Sequence, residues 1–188
     1  MRNGKLITPT ALAFVCAGGF AFAQNNPRAA NPDTNKTQEQ GQMTSNADRD
    51  AIKLLHQANQ VEMEMGNIAR TNAGSMGVKD YGRMLEQDHN KADKQLLNMA
   101  KQKQVQLTAA EPKGETKQLD ALRQMKGQAF DKKFLQTMVE DHTKAIDDLQ
   151  KLMPDVKDPQ LKAMMQETLP ALKHHRDMAQ SLLQKQSS

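Results

Sequence analysis

Tryptophan is absent from this 188-residue chain, aromatic residues make up 3% of it, and its one cysteine is Cys16. Strand-built folds draw on aromatic and β-branched residues, so a β-sandwich or an α/β enzyme fits this composition poorly. Hydrophobic residues account for 37%. The rest is rich in Gln, Lys, Glu and Asp, which together with Ala, Leu and Met form helices or cap them. The composition predicts an all-α protein.

The start of the chain reads as a targeting segment. Arg2 and Lys5 give a basic opening, Ala11 to Phe22 is apolar, and Ala21-Phe22-Ala23 has the small-x-small form of a cleavage site. Residues 1–23 are therefore expected to be a signal peptide, cut after Ala23. The apolar run falls short of the ~20 residues of a membrane span, so no transmembrane segment is expected after cleavage. Cys16 follows Phe14-Val15 rather than the small residues of a lipoprotein signal. It leaves with the signal, which removes disulfides and thiolate chemistry from the mature chain. The expected address is export to the periplasm, with the outer membrane as a second site of association.

Charge of one sign is also scarce. Lys and Arg number 26 against 22 Asp and Glu; losing Arg2 and Lys5 leaves 24 against 22, a net of +2. The basic residues are scattered among acids, and the aromatics beyond the signal are Tyr81, Phe130 and Phe134. No nucleic-acid partner is expected from such a pattern. No nucleophile constellation and no phosphate-cradling glycine loop is present, so no residue is assigned a catalytic role.

Residues 24–46 are mostly Asn, Gln, Pro and Thr. That composition cannot offset the entropy of ordering, and a disordered tether is expected there. Patterned sequence follows, and residues 47–185 are expected to form the folded domain. Helices are expected over about 47–73, 78–104, 115–125, 128–153 and from Pro159 onward. Ser45 or Asn46 caps the first and Gly74 stops it. Ser75 caps the second, Pro154 ends the fourth, and Asp158-Pro159 opens the last, which Pro170 is expected to kink.

Two internal echoes accompany these helices. Asp88-His89-Asn90-Lys91-Ala92 recurs as Asp141-His142-Thr143-Lys144-Ala145, and the turn Ser75-Met76-Gly77-Val78-Lys79 resembles Asp158-Pro159-Gln160-Leu161-Lys162. Two related helix pairs are the simplest reading. The stretch from 105 to 127 joins the pairs and is far longer than neighbouring helices of a meander need. A helix of 27 residues is ~40 Å long, which this connector can span. The expected fold is a ferritin-like four-helix bundle of two related helix pairs, with a long crossover containing a short extra helix.

An ionisable residue interrupts the apolar stripe of each long helix: Glu62, His89, His142 and His175. Counted along the axis, the four fall within about 6 Å of one level. Buried groups of this kind cost several kcal/mol unless paired, so they either satisfy one another in a structural network or form a metal site between facing helices. Asp88 and Asp141, each one residue before a His, are candidates for outer-shell or extra ligands.

The opening Asp48-Arg49-Asp50 to Gln57-Ala58-Asn59-Gln60-Val61-Glu62, the two Asp-His-x-Lys-Ala segments, and Thr168-Leu169-Pro170-Ala171-Leu172-Lys173-His174-His175 resemble an exported bacterial family. It is a domain-of-unknown-function family often labelled "predicted outer membrane protein". The resemblance covers about 48–183 and implies a ferritin-like bundle exported to the envelope. The family carries no settled activity. Its outer-membrane label finds no support in a chain without the alternating strands of a barrel.

The ferritin-like di-iron pattern asks for a Glu on two helices and Glu-x-x-His on two others. Glu62 and Glu86-Gln87-Asp88-His89 supply half of it, but Val139 and Leu172 stand where the other carboxylates would be. A standard di-iron site is not expected. The 13 methionines, 12 after export, include the pairs Met63/Met65 and Met164/Met165, which could ligate copper. At stripe spacing they read more simply as core filler. Two functions are carried forward. One is a non-enzymatic envelope protein acting in binding or stress tolerance, through an envelope partner or as a homo-oligomer. The other is a protein holding iron, copper, zinc or manganese on Glu62, His89, His142 and His175. Binding of an apolar ligand or lipid between the helices is a third, weaker idea.

Overall fold

The computed structural model describes residues 44–107 and 115–186. The expected signal peptide and residues 24–43 of the expected tether lie outside them. Among the described residues there are five helices and no strand: α1 Asn46–Asn72, α2 Met76–Gln102, α3 Glu115–Gln124, α4 Gly127–Leu152 and α5 Pro159–Gln186. None is long and apolar enough to cross a membrane.

The helix starts follow from local chemistry. The Ser45 hydroxyl accepts the Asp48 N–H and caps α1, whose first residue, Asn46, falls in the segment expected to be tether. Ser75 does the same for α2 by accepting from Val78 N, and Asp158 for α5 by accepting from Leu161 N. Each satisfies one of the orphan amides of a first turn. Gly127 opens α4 with φ +63°, a conformation that glycine adopts without strain. Helix α5 continues through Pro170 as one segment. Pro170 and Gln166, whose carbonyl loses its usual donor, are both exposed, and water can replace the lost bond.

Gly74 has a different role from the one its position suggests. Helix α1 ends at Asn72, with Ala73 as its cap residue in extended geometry. A Cβ on Gly74 would lie 2.9 Å from the Gly127 backbone. Gly74 is therefore small because the α1–α2 turn presses against the start of α4.

Two buried carboxylates tie the helix pairs together. Asp48, in the first turn of α1, accepts the N–H groups of Lys157 (2.8 Å) and Asp158 (3.1 Å) ahead of α5. Asp131, in the first turns of α4, accepts those of Gly74 and Ser75, both at 2.9 Å, ahead of α2. Burial pushes the Asp48 carboxyl up, but the Ser45 hydroxyl and the amides it accepts outweigh that and hold it below the ordinary value. From 48 to 131 and from 75 to 158 the step is the same 83 residues. The structural repeat thus pairs α1 with α4 and α2 with α5, which is the step of the turn echo. The Asp-His echo, from 88 to 141, instead sets α2 against α4, helices that do not correspond in the repeat.

The same bonds orient the pairs. The α1 start meets the α4–α5 turn, the Lys103 ammonium beyond α2 donates to Asp158, and the α1–α2 turn meets the α4 start. Helix α2 therefore ends at one end of the molecule and α4 begins at the other, and the connector between them covers the full length. Helix α3 lies on the way. It is held by Asn72 Nδ2 donating to the Leu122 and Arg123 carbonyls, and by Gln118 donating to Asp141.

The apolar interior falls into two clusters. One contains Met65, Tyr81, Leu85, Phe130, Phe134 and Met138, with Leu119 and Leu122 from α3. The other contains Ile52, Leu96, Ile146, Leu149, Leu161 and Met165. Phe130 and Phe134 stack at 5.3 Å within the first. Between the clusters runs a layer of buried polar side chains: His56, Asn59, His89, Asp93, His142 and His175.

Candidate metal centre

His89 on α2, His142 on α4 and His175 on α5 are 7%, 0% and 2% exposed. One nitrogen from each comes within 4.8 Å of the other two. The rings crowd together, with centroids 5.3 Å apart for His142–His175, 5.4 Å for His89–His175 and 6.1 Å for His89–His142.

The partners of the remaining nitrogens fix what the site presents. His142 Nδ1 lies 3.0 Å from the Met138 carbonyl oxygen, one helical turn back, and must donate to it. His89 Nδ1 lies 3.0 Å from Asn59 Oδ1 and donates likewise. His175 Nε2 lies 3.0 Å from Asp88 Oδ2 and donates to the carboxylate. A neutral imidazole has one N–H, so these bonds leave lone pairs on His142 Nε2, His89 Nε2 and His175 Nδ1. Those are the converging atoms. His142 Nε2 and His175 Nδ1 stand 3.3 Å apart, and the buried His89 Nε2 has no hydrogen-bond partner among the described residues.

Burial disfavours the imidazolium form throughout the cluster. It lowers His89 to about 3 and His142 to about 4, with the neighbouring rings adding to the effect. It also lowers His175, although Asp88 pulls the other way. All three rings are neutral at pH 7, the form that binds a metal.

A tetrahedral ion with ~2.05 Å bonds to nitrogen separates its ligand atoms by about 3.3 Å. The His142–His175 pair already has this spacing at 3.3 Å, and the His89 nitrogen lies within 4.8 Å of both. Three imidazoles, each oriented by an oxygen on its other nitrogen, are a donor set that could hold a metal ion.

Of the four residues expected to ligate, the structure brings the three histidines together. Glu62 approaches from another side: its Oε1 lies 3.9 Å from His142 Nδ1, the nitrogen turned away from the cluster. Asp88 accepts from His175 Nε2, on the side of that ring away from the cluster. Asp141 instead accepts from Gln118 of α3, and burial raises its pKa.

Sequence reasoning missed Asn59, and with it a second rung of the polar layer, in which His56 Nδ1 donates to Asp93 at 2.7 Å and Gln60 Nε2 donates to the same carboxylate at 2.8 Å. The α1 stripe expected from the helical period is Ala51, Leu55, Ala58, Glu62, Met65 and Ala69, of which Ala51, Met65 and Ala69 are buried and Ala58 is exposed. A second buried row beside it runs Ile52, His56, Asn59 and Gly66. The signal was present as an i, i+4, i+7, i+14 pattern on the flank of the one chosen.

Residues 33–182 match the model of a domain of unknown function, DUF4142. The chain belongs to the DUF4142 family. Comparison with curated proteins and with solved structures returns no match. DUF4142 membership agrees with the resemblance to a domain of unknown function noted from the sequence and adds no activity to it. The histidine cluster is the candidate site of this DUF4142 chain.

Proposed function

We propose that this is an exported, ferritin-like bundle that binds a single transition-metal ion on His89, His142 and His175. The observation that carries the reading is the convergence of three imidazole lone pairs, one of them on the buried and unpartnered His89 Nε2. Leaving such an atom unsatisfied costs about 1–3 kcal/mol. An apolar side chain at the same position would avoid that cost, so a ligand for it is the economical explanation.

The ferritin-like arrangement is supported by two helix pairs whose α2 and α4 run the same way, joined by a connector that covers the bundle's length. Export to the envelope is supported by the basic opening, the apolar run and the Ala21-Phe22-Ala23 site.

A structural network is the second reading, and one distance favours it. A protonated His175 would donate from Nδ1 to His142 Nε2 and from Nε2 to Asp88. That accounts for two rings and leaves His89 Nε2 without a donor.

Metal content decides between them. The chain is exported, purified from periplasm without a tag or chelator, and assayed for iron, copper, zinc and manganese. Near-stoichiometric metal, lost on His89→Ala or His142→Ala, is the expected result. Absence of metal, with none taken up on titration, overturns the reading in favour of the network. Tyr81, the only tyrosine in a chain without tryptophan, gives a second readout. Its hydroxyl donates to the His175 carbonyl at 3.1 Å, so a paramagnetic ion at the site quenches its fluorescence.

A further inference from the structure

We infer that a metal ion reaches the histidine cluster past Asp88, and that this carboxylate is the first group of the chain to hold it. The inference rests on the metal-binding reading above and adds the side from which the site is filled.

All three rings are buried, and the groups that back them differ in their access to water. His89 is backed by Asn59, which is buried, and His142 by the carbonyl of the buried Met138. His175 is backed by Asp88, whose side chain is 51% exposed. Of the three backing groups, Asp88 is the one that stands in water while touching a ring.

The side of His142 is more enclosed. Glu62, 3.9 Å from His142 Nδ1, has a side chain 14% exposed. Helix α3 bridges the two helices that carry these residues, donating from Gln118 to Asp141 of α4 and from Arg123 to Glu64 of α1.

The order in which ligands are met follows from the distances. Asp88 Oδ2 accepts from His175 Nε2 at 3.0 Å, and the other nitrogen of that ring, Nδ1, stands 3.3 Å from His142 Nε2. An ion on Asp88 thus has His175 beside it and His142 directly beyond. Stripping an ion of all its water in one step carries a large cost. A half-exposed carboxylate lets the exchange begin while most of that water is kept, and its charge raises the local concentration of cations. The ion also competes for the oxygen that holds the ring, so its arrival frees His175 to turn toward it.

Cobalt(II) is the probe, since it takes the same nitrogen ligands as zinc(II). Tyr81 donates to the His175 carbonyl at 3.1 Å, so a paramagnetic ion in the cluster quenches its fluorescence, and the signal follows the cluster rather than ions on the surface. Metal-free, untagged, exported chain is mixed with cobalt(II) by stopped flow, and release is followed by mixing the loaded chain with excess chelator. Asp88→Asn keeps an oxygen for the His175 N–H and removes the charge. Gln118→Ala removes the bond between α3 and α4 and tests the other side.

Association in Asp88→Asn is expected to fall about tenfold. Unchanged association overturns the inference whatever happens to release, because Asp88 then only steadies the ring. Gln118→Ala is expected to leave association as it is. Faster filling in that variant places the entrance between α1 and α4 and overturns the inference too. A wild type with intact helical circular dichroism and no quenching by cobalt(II) overturns the metal-binding reading itself.

Discussion

The two Asp-His-x-Lys-Ala segments are nearly the same in sequence and differ in what they do. Both place their His on the buried face, His89 on α2 and His142 on α4. The Asp before each His stands about 100° round the helix, on a flank whose neighbour decides its use. Beside α2 that neighbour is α5, and Asp88 reaches His175. Beside α4 it is α3, and Asp141 reaches Gln118. The rings are steadied differently too, His142 by its own helix through the Met138 carbonyl and His89 by Asn59 of another. A short motif can thus set the face a residue occupies and leave its partner to the fold around it.

Removing either ring should abolish the site and erase the difference between the segments. His89→Ala and His142→Ala are each expected to lower zinc(II) affinity more than 100-fold, read by equilibrium dialysis. Loss in only one variant would show that a single segment supplies the metal ligands.

Acid should separate His from Asp within the segments. Folded-state values of about 3 for His89 and about 4 for His142 lie below the ordinary 6.5. Their stabilising effect is present above pH 6.5 and is lost progressively as pH falls from there to the folded values of about 4 and 3, because the unfolded chain takes up protons first. The loss is on the order of 3 kcal/mol for each ring, read from urea melts of the metal-free chain between pH 7 and 4. Asp141 works the other way. Its pKa is raised by burial, so its unfavourable effect appears as pH rises through its folded value and is absent in acid. Stability that is flat from pH 7 to 4 would contradict the neutral, buried state of the rings.

Smaller effects sharpen the comparison. Asp88→Ala is expected to weaken zinc(II) binding about 10- to 100-fold, while Asp141→Asn leaves it unchanged and alters stability by less than about 1 kcal/mol. Equal metal losses in the two would mean that α3 supports the centre as much as α5. Asn59→Ala should cost about 10-fold in affinity through a freed His89 ring, with His142 unaffected in its nitrogen NMR signals. A loss as large as that of His89→Ala would give Asn59 a role beyond orienting the ring.

Much of the fold was legible because helices are local. Ser45, Ser75 and Asp158 announce their caps, and the 3.6-residue period places all five helices within two residues of where they lie. The three histidines were legible for the same reason, as polar interruptions of apolar stripes. The flank of α1 was harder: Ala58 and Asn59 are adjacent, both stripes contain apolar residues, and only packing against α2 buries Asn59. The repeat was harder still. The eye catches the Asp-His echo, but the clamps at Asp48 and Asp131 show that the repeating unit is the helix pair with its turn.

The sequence by itself determined the helices, their ends, and the level at which three imidazoles enter the interior, because each depends on residues within a turn or two of one another. The tertiary structure alone decided which nitrogens converge, that Glu62 stands behind His142 rather than beside it, and that Asp88 is used where Asp141 is not. Those outcomes depend on which helix lies against which flank, and that follows from the packing of the whole bundle.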